Sequence, residues 1–397
     1  MPLKCYNRKK DFKGIYMTPF TYHNPTHIEF GPNKENQIGQ WLKADGVGRV
    51  LLVYGMGSIK SGGLYDRVIE SLSGEGIEYV QLDGVMSNPI LSKVYEGIQA
   101  SREFNAQAVL AVGGGSVIDT AKAIAAGVLY EGDVWDLFLG QTEVSQALEV
   151  YTIVTLAAAA SEMNGNSVIT NETTKQKYSI GSKFLNPKLS IVNPELMMSV
   201  SKEYLAYSAS DIIAHALETY FTATDHPYFQ SRLVESIVKS VIELTDRLIE
   251  NPNDYDARAE FAWVSSQALN GLTTSGTGGG NWPNHMIEHS LSALFNIPHG
   301  AGLSIVVPAW MNWYQEKNKG QFERFAKEVF GKNSAQEGIG MLKRWYSTIG
   351  TPITLAQANI PKETIPDIAQ NAYELGVVWG MGDIYSIKDI KAILENA

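Results

Sequence analysis

Asn281-Trp282-Pro283-Asn284-His285-Met286-Ile287-Glu288-His289 runs on through Ser290 to Ile297 and closes on Pro298-His299-Gly300, a stretch holding three of the chain's seven histidines. Pro283 suits a first helical turn, and Ile287, Leu291 and Leu294 carry a helical period that Asn296 and Pro298 interrupt. The spacing predicts a helix from about Pro283 to Phe295, with Pro298-His299-Gly300 just past its end. His285 and His289, four apart, share one face, and the apolar residues point away from it. Packing has no use for those imidazoles, so their face reads as the wall of a cleft, and imidazole is the commonest metal ligand. A lone histidine pair of this spacing more often hydrogen-bonds or faces water. What shifts the reading lies upstream.

Ser208-Ala209-Ser210-Asp211-Ile212-Ile213-Ala214-His215 repeats the pattern, with Asp211 and His215 again four apart on one face. Its competing explanation is a capping box, Ser208 with a carboxylate three residues on, which would employ Asp211 without any metal. The two pairs plus His299 nevertheless offer one carboxylate and up to four imidazoles from three separate elements. Zinc takes oxygen and nitrogen ligands four at a time, and iron accepts the same types. His23, His27 and His226 read as surface or structural residues. Cys5 is the chain's one cysteine, so an intramolecular disulfide and a cysteine metal site are excluded, in keeping with a reducing, cytoplasmic setting.

Further toward the N-terminus, strand-like runs alternate with helical ones. Arg49 to Tyr54 breaks into Gly55-Met56-Gly57-Ser58 before a helical pattern around Leu64, Val68 and Leu72. Strand candidates follow at 77–82, 108–112, 149–156 and 189–192, with a helix over 91–104 and another over 117–129, and 168–170 with 177–180 reads as a hairpin. This alternation predicts a parallel, doubly wound sheet. From Ser201 onward helical patterns succeed one another, at 202–221, 227–250, 254–270, 283–295, 319–330 and 335–348. The expected fold is therefore α/β plus all-α: a Rossmann-like dinucleotide-binding domain over 17–195, then an all-helical metal-binding and substrate domain over 196–397. The active site falls in the cleft between them. Residues 1–16 read as a loosely ordered extension or as sequence upstream of a start at Met17.

Two glycine turns end strands on this sheet: Gly55, Gly57 and Ser58 in one, and Gly113, Gly114, Gly115 and Ser116 in the other. Glycine lets backbone approach a phosphate, and the helix start behind it offers free N–H groups. Neither turn fits G-x-G-x-x-G, since Lys60 stands three after Gly57, and each alone could be only a tight connection. As a pair they suit a ligand with two phosphates, a dinucleotide. Asp119, one turn into the second helix, could take a ligand hydroxyl or stabilise the helix start.

The 397 residues suffice for two or three domains, and the 44% hydrophobic and 19% charged fractions are those of a globular protein. A formal net charge of -10 disfavours nucleic acid as a partner. No stretch approaches the ~18 apolar residues of a membrane span.

Gly113-Gly114-Gly115-Ser116-Val117-Ile118-Asp119, Asp211-x-x-x-His215, and His285-x-x-x-His289 with Pro298-His299-Gly300 together resemble the iron-containing (group III) alcohol dehydrogenases, and within them the butanol dehydrogenase type. The resemblance extends from about Met17 to the C-terminus. It implies metal ligation by Asp211, His215, His285 and His299, with Fe2+ the expected ion and Zn2+ the alternative. It also implies a proton-transfer role for His289 near the nicotinamide, and a homodimer. The implied reaction is reversible hydride transfer between NAD(P)(H) and a small primary alcohol or aldehyde such as butanol or butanal. The Gly55-Met56-Gly57-Ser58 turn lacks a carboxylate for a free ribose hydroxyl and leaves room for a 2′-phosphate, so NADP(H) is expected over NAD(H). One departure stands out. Where related sequences commonly carry Ala-Thr-Gly-Ser-Glu-Met, this chain reads Ala157-Ala158-Ala159-Ala160-Ser161-Glu162-Met163, so a threonine hydroxyl expected near the cofactor is absent.

Two other functions compete. A sugar-phosphate lyase of the dehydroquinate synthase type shares the dinucleotide and metal, but needs basic residues for an anionic substrate. Trp282, Met286 and Phe295 argue instead for a small apolar one. A non-catalytic nucleotide-binding module leaves the ligand set without purpose.

Overall fold

The computed structural model describes residues 17–397. Cys5 and the expected N-terminal extension lie outside the described residues. The N-terminal part is built from β1 (His27–Phe30), α1 (Ile38–Ala44), β2 (Arg49–Gly55), α2 (Ser58–Ser61), α3 (Leu64–Gly74), β3 (Glu78–Val85), α4 (Leu91–Phe104), β4 (Ala108–Gly113), α5 (Gly115–Leu129), α6 (Val134–Phe138), β5 (Glu149–Val154), β6 (Asn166–Asn171), β7 (Gln176–Gly181) and β8 (Leu189–Val192). Helices follow: α7 (Lys202–Thr222), α8 (Tyr228–Glu250), α9 (Tyr255–Ala268), α10 (Pro283–Phe295), α11 (His299–Tyr314), α12 (Lys319–Phe330), α13 (Ala335–Thr348), α14 (Ile365–Val378) and α15 (Ile387–Leu394).

Six strands form one sheet in the order β1-β8-β5-β4-β2-β3, every neighbouring pair parallel. Side chains alternate across it. Val50, Leu52 and Tyr54 of β2 face α1 and α3, while Leu51 and Val53 join the core of α4 and α5, which is continuous with that of the helical part. From β2 the chain moves outward to β3, whereas from β4 it moves the other way to β5. The sheet therefore has its topological switch point between β2 and β4, where a crevice opens at the carboxyl ends of the strands. Both glycine turns lie at that edge. The expected hairpin forms as β6 and β7, antiparallel with Val168 opposite Ser179, outside the main sheet.

The sequence reading omits β1, α1, α2, α6, α14 and α15, and it places His299 in a connection. His299 instead opens α11, a helix that carries Pro308 in its interior. That proline and the Gly300 and Gly302 near its start disguise a helix whose packing, not propensity, maintains it.

Candidate metal centre and dinucleotide cleft

Helix α7 begins at Lys202, capped by Ser201, whose side chain accepts from the Tyr204 N–H at 3.2 Å. Ser208 and Asp211 thus lie in the helix interior, and the capping-box explanation fails. Asp211 and His215 are each 5% exposed, and a buried carboxylate needs compensating partners.

Three elements supply them. His215 Nε2 lies 3.4 Å from Asp211 Oδ1, His285 Nε2 on α10 lies 3.7 Å from the same oxygen, and His299 Nε2 at the start of α11 lies 3.6 Å from it. Donors about 2.1 Å from a tetrahedral ion are spaced ~3.4 Å apart; the ligand atoms of Asp211, His215 and His285 lie within 4.8 Å of one another and could hold one ion, and His299 Nε2 reaches the same Asp211 oxygen from the edge of that group. Asp211 Oδ1 and His285 Nε2 are buried and take no hydrogen bond among the described residues, as atoms reserved for a metal would. Gly300 allows the convergence: a Cβ there would sit 2.0 Å from the Tyr207 carbonyl oxygen of α7. Only glycine brings α11 that close.

Carboxylates stand behind the imidazoles. Glu218, fully buried on α7, accepts from the His285 backbone N–H, from His285 Nδ1 and from Asn284 Nδ2, each at 2.9 Å. Donation through Nδ1 leaves the Nε2 lone pair free to ligate. Glu218 was missed in the sequence, although 211, 215 and 218 share one helical face. Lys177, Glu288 and Asn88 were missed as well, because hairpin, helix and turn meet only in the folded chain.

Burial acts to lower the His285 pKa, but the facing Asp211 and Glu218 carboxylates outweigh it and raise it to about 9. His215 is pushed down to about 3, mainly by burial. Burial opposes ionisation of Asp211, yet the surrounding imidazoles hold its pKa below the usual carboxylate range. His289 lies beside the centre and is held well below the usual histidine value by burial and then by the Lys177 charge. Its Nδ1 donates to the Lys177 carbonyl at 3.0 Å, which leaves Nε2 as an unprotonated acceptor, and Trp379 packs against its ring.

Asp211, His215, His285, His289 and His299 line a cavity of about 170 Å³ together with Asn88, Ser116, Leu156, Ala158, Ala159, Val168, Lys177, Tyr207 and Leu269. Trp282, Met286 and Phe295, expected to make it apolar, are not in its lining. Trp282 instead packs edge-on against His215 and His285. The apolar walls come from elements remote in sequence. Through Ser87, Gly115, Ser116, Leu156 and Tyr204 the cavity joins a trough of about 900 Å³ lined by Gly55, Met56, Ser58, Gly113, Gly114 and Thr155. Gly57, at φ 121°, supplies the turn that starts α2. A Cβ on Gly114 would lie 2.9 Å from Leu156, and α5 begins at the next residue, so the free N–H groups of its first turn open here. The trough is thus lined by both phosphate-friendly turns.

Asp119 accepts from Ser161 Oγ at 2.6 Å and from the Val168 N–H at 3.0 Å, fastening α5 to the loop after β5 and to β6. Its two oxygens are engaged by protein donors, not by the helix start. His226 is half-buried beside Asn318, and His27 pairs with Glu29 on β1, both away from the cleft.

Residues 25–194 match the family described as "Iron-containing alcohol dehydrogenase", and residues 205–397 match "Fe-containing alcohol dehydrogenase family, C-terminal". The chain is 40% identical over 387 residues to the probable NADH-dependent butanol dehydrogenase 1 of Bacillus subtilis (strain 168), covering 96% of this chain and 99% of that protein. It is 29% identical to the NADPH-dependent aldehyde reductase YqhD of Escherichia coli (strain K12), over 91% of this chain and 94% of that protein. Among solved structures, the NADH-dependent butanol dehydrogenase A of Thermotoga maritima superposes with a TM-score of 0.94 at 45% identity, covering 96% of this chain and 99% of that chain.

Proposed function

The chain belongs to the iron-containing alcohol dehydrogenase family and is an NAD(P)-dependent alcohol dehydrogenase and aldehyde reductase; on that premise we propose that its substrates are small, largely apolar primary alcohols and their aldehydes, with butanol and butanal the first pair to test. The observation that carries the site is the convergence of three imidazole Nε2 atoms on Asp211 Oδ1 at the inner end of the trough. When bound, the metal supplies Lewis acidity to the substrate oxygen and the nicotinamide gives or takes the hydride. Asp211, His215, His285 and His299 hold the ion, Fe2+ with Zn2+ as the alternative. The first turns of α2 and α5 hold the phosphates. Oxidation of an alcohol to an aldehyde releases one proton besides the hydride, and His289 Nε2, unprotonated and in the cavity wall, is placed to receive it.

A lyase acting on an anionic sugar phosphate fits this site poorly. Lys177 is the one lysine or arginine in the inner lining among the described residues, and Glu288 lies 3.7 Å from it. On cofactor choice two observations pull apart. The carboxylate-free Gly55-Met56-Gly57-Ser58 turn favours a 2′-phosphate, yet the relative at 40% identity is named for NADH and the one named for NADPH is at 29%. Both cofactors are taken, NADP(H) within about tenfold of NAD(H) in kcat/KM, equivalent to ~1.4 kcal/mol. A homodimer and a cytoplasmic setting belong to this reading, supported by the family resemblance and the single cysteine.

The deciding experiment is anaerobic metal analysis with butanal reduction by NADPH and NADH, before and after chelation. One metal per chain, with activity lost on chelation and restored by Fe2+ or Zn2+, is expected. Absence of bound metal would overturn the ligand assignment, and metal with no aldehyde reduction would overturn the substrate class.

A further inference from the structure

Glu288 stands between His285 and His289 in sequence, and its carboxylate is directed at His299. It is fully buried at 0% exposure, where an ionised carboxylate is costly unless every oxygen is engaged. Its Oε2 accepts from His299 Nδ1, and its Oε1 accepts from Ser292 Oγ at 2.5 Å. Lys177 Nζ, from β7, lies 3.7 Å from Oε2 and 3.4 Å from His299 Nδ1. Helix α11 has a notch for this carboxylate: a Cβ on Gly302 would meet Glu288 Oε1 at 2.6 Å and Cγ at 2.7 Å. Glycine inside a helix costs about 1 kcal/mol relative to alanine, so the notch has a use that offsets that cost.

We propose that Glu288 is a positioning residue for the metal centre: by accepting from Nδ1 of His299 it fixes the tautomer and ring angle that aim Nε2 at the ion, and Lys177 balances its charge. The inference rests on the ligand set proposed above. It also assigns the neighbouring cluster of Glu288, His289 and His299, whose ligand atoms lie within 4.8 Å of one another. That cluster is not a second metal site, because the Lys177 ammonium supplies its cation and His299 Nδ1 is committed to the carboxylate. Lys177 Nζ also donates to Asn88 Oδ1 at 2.9 Å, and Asn88 Nδ2 donates to the Ile297 carbonyl at 3.0 Å. The turn after β3 and the hairpin are thereby joined to the α10–α11 corner that presents His299.

The test is titration of the metal-free full chain with Co2+ under anaerobic conditions, competed against a chelator and read from the visible absorption of the bound ion. Glu288→Gln alone strands Lys177, so Lys177→Met/Glu288→Gln is compared beside it, a pair that leaves no unpaired buried charge. Wild type is expected to take one Co2+ per chain with a tetrahedral spectrum. Both variants are expected to bind it ten- to a hundredfold more weakly, the usual effect of losing a carboxylate behind a ligating histidine, with a changed spectrum. A structural role alone would lower the melting temperature without altering the Co2+ spectrum. Unchanged affinity and spectrum in the double variant, or two Co2+ per wild-type chain, would overturn the proposal. No Co2+ binding by wild type would overturn the ligand set as well, which separates the two failures.

Discussion

At the scale of single residues, His289 and Ala160 make opposite demands. His289 is not in the set that converges on Asp211, and its Nδ1 is already bonded, so replacing it removes a proton acceptor and leaves the ligand atoms in place. His289→Ala is expected to keep its metal and to lose about 10²- to 10⁴-fold in kcat. Full turnover in that variant would end the proton-transfer role. Ala160 is buried with φ 49° and ψ 23°. The left-handed conformation costs a residue with a Cβ about 1–2 kcal/mol, and part of that is returned by the stiffer unfolded chain. Ala160→Gly should therefore stabilise the protein by roughly 0.5–1 kcal/mol in urea denaturation. A lower midpoint would show that the loop has relaxed around alanine.

Among the elements, the loop between β5 and β6 is held by a buried lysine. Lys122 on α5, fully buried, donates among the Ser161 carbonyl at 2.6 Å, the Asn164 carbonyl at 2.8 Å and the Asn166 carbonyl at 2.9 Å. These bonds shape the wall that carries Ala158 and Ala159 into the cavity. Lys122→Met leaves those carbonyls, Asp119 and Glu162 without their cation and is expected to cost about 3–5 kcal/mol. Burial pulls the Lys122 pKa down to about 8 from 10.5, against the pull of Asp119 and Glu162. Between those values the unfolded chain holds more protons than the folded one, so this contribution to stability rises with pH across the window. Wild type minus Lys122→Met, measured in urea at pH 7.5 and pH 10, should widen at the higher pH. A gap that narrows would show that the ammonium is stabilised by the fold.

For the whole molecule, the proposed centre joins α7, α10 and α11, and the trough leading to it runs along the carboxyl edge of the sheet. An ion bound only by the native state adds RT ln(1 + [L]/Kd), about 4 kcal/mol at a thousandfold excess over Kd. Chelation should lower the melting temperature, and added Fe2+ or Zn2+ should restore it. An unmoved melting temperature in a chain that had carried metal would mean the ion sits elsewhere. Much of this architecture is legible in local sequence. Alternation of β-branched runs with helical periods declares the parallel sheet, because strand and helix periods are properties of neighbouring residues. The i, i+4 pairs Asp211/His215 and His285/His289 declare their helix faces for the same reason. Three things were decided only by the tertiary structure. Helix α11 was hidden because Gly300, Gly302 and Pro308 argue against a helix locally, while close packing on α7 and the seat of Glu288 require them. Glu218, Glu288 and Lys177 gained their roles from burial, which depends on what folds over a residue. The convergence of three imidazoles on Asp211 is a sum of helix crossings, and no spacing along the chain encodes a crossing angle.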